Sequence, residues 1–258
     1  MAEDKIQGGI DWFIQRLGKI TSSEIYVLTK SHKEAMTDEE LAEFKSVNPK
    51  SRVTTKEVPF SDATFTYLNR KVMENFLPIH SKSQESRNAV EEYIELHTIS
   101  SRACEFGTLW EDEARKRYAE RMGYEVFEVG FIPYDKYPQL AGGSPDGMIR
   151  EEKGVIEIKA PFTLEKHLQH FLYETPQDLK EKDEQYYWQC VGNMLFTDTE
   201  FCDFISFNPY ISVSKQLKIL RIPRTNEDIT FLQDRIDLAV EYIKKQIKKI
   251  NNAKTTIL

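Results

Sequence analysis

The stretch "LAGGSPDGMIREEKGVIEIKAP", residues 140–161, places Asp146, Glu157 and Lys159 beside an otherwise apolar run. Residues two apart on a strand share a face, so Glu157 and Lys159 point the same way while Ile156, Ile158 and Ala160 point into the core. The turn residues "EEKG" fold "SPDGMIR" back onto "GVIEIKAP" as a hairpin, which brings Asp146, just after Pro145, alongside the other two. Two carboxylates with a backbone carbonyl and waters suit a hard, octahedral cation such as Mg²⁺. A lysine next to them can orient or deprotonate a metal-bound water, and the cation stabilises charge developing on a phosphate oxygen. That is equipment for phosphodiester hydrolysis. Taken alone, an Asp and a Glu-x-Lys with ten residues between them also fit a surface hairpin with a cross-strand ion pair, and such matches arise by chance.

The flanking sequence must supply the elements that hold this hairpin. Thr21 with Glu24 three residues later reads as a capping box opening a helix. Residues 30–85 are charged and irregular, broken at Asn48-Pro49, and suggest an insertion or small helical arm. Residues 86–122 read as helices, the last of them "EFGTLWEDEARKRYAERMG", ending at Gly123. "YEVFEVGFIPY" is a strand candidate ahead of the hairpin. A helix over about 179–196 follows it, then two strands in "EFCDFISFNP" and "KQLKILRIP". A last helix, about 226–251, lines up Leu232, Ile236, Val240, Ile243, Ile247 and Ile250 on one stripe. Helices alternating with strands in this way predict an α/β or α+β sandwich with a mixed central sheet, in a single domain over residues 1–258.

Composition narrows the function classes. The hydrophobic fraction of 40% and the aromatic fraction of 12% are enough for a sizeable core. No window approaches the ~18 apolar residues of a membrane span, and the acidic start "MAEDKI" is unlike a signal peptide. Three scattered cysteines, Cys104, Cys190 and Cys202, fit a reducing, cytoplasmic setting and give neither a zinc knuckle nor a four-cysteine cluster. The net charge of −7 means that any nucleic-acid contact uses a local basic patch. There is no GxxxxGK[ST] loop and no HExxH. His167 and His170 read as exposed residues after the core strand, and "YIKKQIKKI" as an amphipathic helix with a solvated lysine face.

Four blocks in order change the weight of the hairpin. "DWFIQRLGKITSSE", "FGTLWEDEAR", "GGSPDG…EIKAPF" and "YYWQCVGNM" together resemble the phage lambda-type (YqaJ-like) exonucleases, the viral recombinase branch of the PD-(D/E)XK nucleases. The resemblance implies a restriction-endonuclease-like core. It implies that Asp146 and Glu157 are metal carboxylates, that the backbone carbonyl of Ile158 is a further ligand, and that Lys159 is the catalytic lysine. It gives Glu111 a role at the metal, directly or through water. It places Gln189 and Tyr186, on the helix after the core, in the site. It makes Arg16, Ser23 and Ser144 the holders of a 5′-phosphate. The residues themselves add some support. Glu111, Ala114, Tyr118 and Met122 share one helical face, and Gln185, Gln189 and Asn193 form a polar stripe on a mostly apolar helix. Ser23 stands at a helix start, where anions are favoured, although capping explains it equally well. One departure stands out: Glu165 occupies the position where the family has a phosphate-binding arginine, followed by Lys166 and His167.

The expected activity is a Mg²⁺-dependent exodeoxyribonuclease, with Mn²⁺ as a substitute. It would degrade the 5′ strand of linear duplex DNA processively, 5′→3′, and leave 3′ single strands for recombination. The resemblance further implies a homotrimeric ring threaded by DNA and a partner protein that anneals the exposed strand. The alternatives are another PD-(D/E)XK endonuclease on the same core, or a DNA-end-binding protein without catalysis.

Overall fold

The computed structural model describes residues 7–98 and 101–253; the acidic start, residues 1–6, lies outside them. The chain opens with α1 (Ile10–Arg16), the short strand β1 (Ile20–Thr21) and a 3₁₀ helix over Ser22–Thr29. The expected capping box is not formed. Thr21 Oγ1 meets Ser23 Oγ at 3.3 Å, and Glu24 turns away to pair with Arg70 and Lys71. Those two basic residues outcompete the backbone for the carboxylate, and the segment winds as the tighter 3₁₀ form.

Residues 30–85 hold more than a helical arm. β2 (His32–Ala35) and β3 (Thr55–Val58) form an antiparallel pair around α2 (Asp38–Val47), whose Thr37/Glu40 capping box is complete. α3 (Asp62–Glu74) follows and buries Tyr67, Leu68 and Val72 in the main core. Next come α4 (Gln84–His97) and the long α5 (Arg102–Met122). As expected, α5 stops at Gly123, whose φ of +72° is the left-handed conformation that glycine adopts cheaply.

"YEVFEVGFIPY" is not one strand. It yields β4 (Val126–Phe127) and β5 (Ile132–Pro133), which belong to different sheets. The chain changes layer between them at Glu128–Gly130. After β6 (Ala141–Gly143), the predicted hairpin is present as β7 (Gly147–Ile149) antiparallel to β8 (Gly154–Lys159). The predicted helix over 179–196 is two: after α6 (Leu164–Phe171) come α7 (Pro176–Lys182) and α8 (Glu184–Thr197), separated at Asp183. Asp183 has φ −140° and ψ 55°, because its side chain is drawn into contacts with Lys166, His170 and Tyr173. The chain then forms β9 (Phe201–Phe207), β10 (Leu217–Pro223) and α9 (Asn226–Asn252), close to the predicted bounds.

The main sheet has the order β10-β9-β8-β7-β4 and is mixed: β8 and β9 run parallel, and the other pairs are antiparallel. A second sheet of order β1-β6-β5 carries the N-terminal segment against the main layer. Every residue of β9 is buried, as expected of a strand covered on both faces. On one face α5 packs Ala114 and Tyr118 against Ile149, Ile156, Ile158 and Ile205. On the other, α8 and α9 pack against Val155, Cys202, Phe204 and Ile222. Each of the valine, isoleucine and phenylalanine side chains among these contributes about 1.5–3 kcal/mol on burial. Two predicted faces end early: Met122 on α5 and Ile250 on α9 are exposed.

α8 is the structural centre. It is buried from Tyr187 to Phe196, apolar nearly all round, and sandwiched between the main sheet and the 3₁₀ helix. Gly192 makes the sandwich tight: a Cβ there would lie 3.3 Å from Ser22 Cβ and Ile25 Cγ2. Among the described residues, no helix is long and apolar enough to cross a membrane.

Candidate active site

β8 brings its charges to the end of the sheet where β7 begins. Pairing between the two strands stops at Gly147↔Ile156, and one residue beyond that point the Asp146 carboxylate takes over. Its Oδ2 accepts the Ile158 amide at 2.6 Å, and its own amide donates to the Ile156 carbonyl. Asp146 therefore stands just before β7 rather than on it. Glu157 is 1% exposed and faces α8: Lys159 Nζ donates to Oε1 at 2.5 Å and Asn193 Nδ2 to Oε2 at 2.8 Å. Lys159 also donates to Gln189 Oε1 at 3.2 Å and lies 5.1 Å from the centroid of the Tyr186 ring. Tyr186 in turn stacks on Phe204. Ala160, expected in the core, lines the cavity instead.

The electrostatics follow from crowding like charges in a buried place. Burial, then Glu157 and Glu111, push the Asp146 carboxyl well above the usual carboxylate range, against the pull of Lys159 and the Ile158 amide. Burial acts against a charged Lys159, but Glu157 and Asp146 outweigh it and hold the ammonium above the ordinary lysine value. Glu111 comes in from α5. Burial raises its carboxyl and Arg115 opposes that, bonded to Glu111 Oε1 at 2.6 Å. The same arginine donates from Nε to the Asp146 carbonyl at 2.8 Å, so it ties α5 to the hairpin.

The N-terminal layer supplies the opposite wall. Arg16 donates to Ser23 Oγ at 2.8 Å and to Ser144 Oγ at 3.5 Å, and its guanidinium lies 4.2 Å from the Trp12 ring centroid. Trp12 Nε1 also donates to Ser144 Oγ. These groups line one open cavity of about 630 Å³, together with Glu111, Asp146, Glu157, Ile158, Lys159, Tyr186 and Gln189. All nine side chains singled out from the sequence thus share one space.

One expectation is corrected: His167 and His170 are fully buried, not exposed, and both contact Ser206 Oγ. Where the family has an arginine, Glu165 is exposed and outside the cavity, while the next residue, Lys166, lines it. Of the polar stripe on α8, Gln185 is exposed, and Gln189 and Asn193 are buried at the site. Asn193, Arg115 and Trp12 were not assigned roles from sequence. The signals were present: Asn193 is one helical turn beyond Gln189, Arg115 one turn beyond Glu111, and Trp12 one turn before Arg16.

The donor set fits a hard divalent cation. Two buried carboxylates sit close enough that Asp146 is driven toward its neutral form, a repulsion that a cation would relieve. Among the described residues, no three His, Cys, Asp or Glu side chains enclose a metal by themselves. The remaining ligands would be backbone oxygen, water and substrate.

A mixed sheet carrying Glu157 and Lys159 on one strand, with Asp146 just before the neighbouring one and α5 and α8 on either face, is a PD-(D/E)XK-type fold. The structure aligns with an alkaline exonuclease from Laribacter hongkongensis with a TM-score of 0.65 at 21% identity, over 94% of this chain and 96% of that one. The same exonuclease in complex with dAMP gives 0.65 at 22% identity, again over 94% and 96%. A phage-related exonuclease from Haemophilus somnus 129PT gives 0.58 at 15% identity, over 90% of this chain and 96% of that one. No curated protein sequence matches the chain. Residues 11–200 match the YqaJ-like viral recombinase domain, and the chain belongs to that family.

Proposed function

We propose that this protein is a Mg²⁺-dependent exodeoxyribonuclease acting on the ends of linear duplex DNA, built as a single nuclease domain. The observation that carries the reading is the meeting of Asp146, Glu157, Lys159 and Gln189 with Arg16, Ser23 and Ser144 in one cavity. The first group is suited to hydrolysing a phosphodiester, the second to holding a terminal phosphate. The structural neighbours being exonucleases supports the same reading. So does the family, whose description as a viral recombinase domain fits an enzyme that prepares ends for recombination.

Asp146, Glu157, the Ile158 carbonyl and Glu111 are the groups that would hold Mg²⁺, with Mn²⁺ as a substitute. When bound, the cation would act as a Lewis acid on a phosphate oxygen. Lys159, kept as an ammonium by Glu157 and Asp146, orients the attacking water and stabilises negative charge on the phosphate; in this protonation state it is a cation and not a base. Gln189 and Tyr186 fix where that ammonium points. Arg16, clamped between Trp12 and the two serines, holds the 5′-phosphate through charge-assisted hydrogen bonds. A phosphate held at that wall sets the distance to the carboxylates and so selects the 5′ end. Processive 5′→3′ digestion, release of 3′ single strands, a homotrimeric ring around the DNA and an annealing partner complete the proposal. A ring with an acidic outside and a basic channel reconciles DNA binding with the net charge of −7.

The test uses linear duplex with 5′-phosphate or 5′-hydroxyl ends and a circular plasmid, with Mg²⁺ or EDTA, on wild type and Lys159→Ala. Digestion should be confined to linear DNA, favour 5′-phosphate, stop with EDTA and fall about a thousandfold in the variant. Full activity in Lys159→Ala would show the site to be misassigned, and equal cutting of the plasmid would exclude an exonuclease.

A further inference from the structure

Beside the cavity, in register with Lys159 on the neighbouring strand, Ser206 is buried and meets two histidines. His167 Nδ1 lies 2.9 Å and His170 Nδ1 2.7 Å from its Oγ. Their other nitrogens are engaged as well. His167 Nε2 is 2.7 Å from the Lys215 carbonyl oxygen, and His170 Nε2 is 3.2 Å from Asp183 Oδ2. Both ends of this chain of contacts are acceptors, so its four hydrogen bonds require four protons. A neutral imidazole has one N–H and a serine one O–H, which gives only three protons, whichever way the hydroxyl points. With Asp183 ionised, the fourth proton must sit on a histidine.

The surroundings decide which one. His167 looks at a neutral carbonyl, and burial lowers its pKa. His170 looks at a carboxylate that stays ionised. Burial alone would raise Asp183, but hydrogen bonds with His170, Lys166 and Tyr173 outweigh that and hold it at about 2. The other titratable groups around His170 are Lys166 and His167 on its own helix, Tyr173 just after it, and Tyr186 on α8 at a ring distance of 6.2 Å; β9 contributes Ser206 and Phe204.

We infer that His170 is a buried imidazolium at neutral pH, and that it is a positioning residue which leaves Lys166 a net cation at the cavity wall. Lys166 and Asp183 alone form a neutral pair. With His170 charged, two cations share one carboxylate and the cluster carries one net positive charge. That charge stands next to the exposed Glu165, where the family resemblance calls for an arginine. The functional half of the inference rests on the cavity being a DNA-end site; the protonation half does not.

The direct test is histidine ¹⁵N NMR of the wild-type protein at pH 7.5, with His170 assigned by its absence from His170→Asn. Both ring nitrogens should appear protonated. In Asp183→Asn the amide can donate the fourth proton, so one nitrogen should lose its proton. A wild-type His170 with one bare nitrogen overturns the inference. On 5′-phosphorylated linear duplex, His170→Asn should raise KM about tenfold, the order of one partly screened charge, with a much smaller change in kcat. The double variant His170→Asn/Asp183→Asn leaves Lys166 as an uncompensated cation, and its KM should return toward wild type. A double variant as impaired as the single overturns the positioning role. Absence of any digestion by wild type would sink the nuclease reading instead, and the nitrogen spectra would still decide the state of His170.

Discussion

Asn193 shows how a residue given no role from sequence becomes part of the site. Its amide donates to Oε2 of Glu157, a carboxylate with almost no contact with water. Removing that donor leaves a buried charge short of a partner, so Asn193→Ala should cost about 1–3 kcal/mol in denaturant unfolding. It should also lower activity about tenfold by letting Glu157 turn, whereas Asn193→Asp should do worse on both measures through like-charge repulsion. From sequence, Glu157 and Lys159 were legible because strand spacing puts them on one face and the hairpin turn brings Asp146 beside them, and the four ordered family blocks then gave the three a role. Asn193 and Arg115 were half legible: helical spacing marks their face, but not what they touch. His167 and His170 were misread because their burial depends on Ser206 and Asp183, which lie far along the chain. The charge network there has a consequence for acid stability. Asp183 is held at about 2, below the ~3.9 of an unfolded aspartate, so its contribution of about 2 kcal/mol is complete above pH ~4 and disappears as pH falls toward 2. Wild type should lose stability across that window in equilibrium unfolding, and Asp183→Asn should lack that part of the slope.

At the scale of elements, the predicted hairpin, both late strands, α5 and α9 were readable because each pattern is long and capped locally. What escaped was set by neighbours. "YEVFEVGFIPY" has continuous strand character, yet it divides because its two ends pair with different partners, Met148–Ile149 and Gly142–Gly143. The helix over 179–196 breaks because Asp183 gains more from Lys166, His170 and Tyr173 than from staying helical. The 3₁₀ helix at Ser22 owes its place to Gly192, which lets α8 approach. Gly192→Val should therefore push the Ser23 side of the cavity outward. We expect a loss of about 1–3 kcal/mol in stability and a several-fold rise in KM for 5′-phosphorylated DNA, with less effect on kcat, since the carboxylates are held by β8, the start of β7 and α5 rather than by the 3₁₀ helix.

At the scale of the molecule, the cavity is lined by residues from Gln7 to Gln189 and closed by α8, whose packing requires the sheet, the 3₁₀ helix and α9 together. Topology of this kind makes folding slow, because contacts distant along the chain must close before they are rewarded. In refolding from denaturant, helical signal should return first, and DNA digestion only with the final tertiary phase. Activity appearing alongside the helices would contradict this. The wide dispersal of the lining residues has a consequence for the chain as it is made. A ribosome-bound chain that ends before Gln189 contains the whole Asp146–Lys159 hairpin, yet lacks the helix that orients its lysine and steadies Glu157. A half-made copy that already holds Asp146, Glu157 and Lys159 should therefore be inactive until α8 is complete.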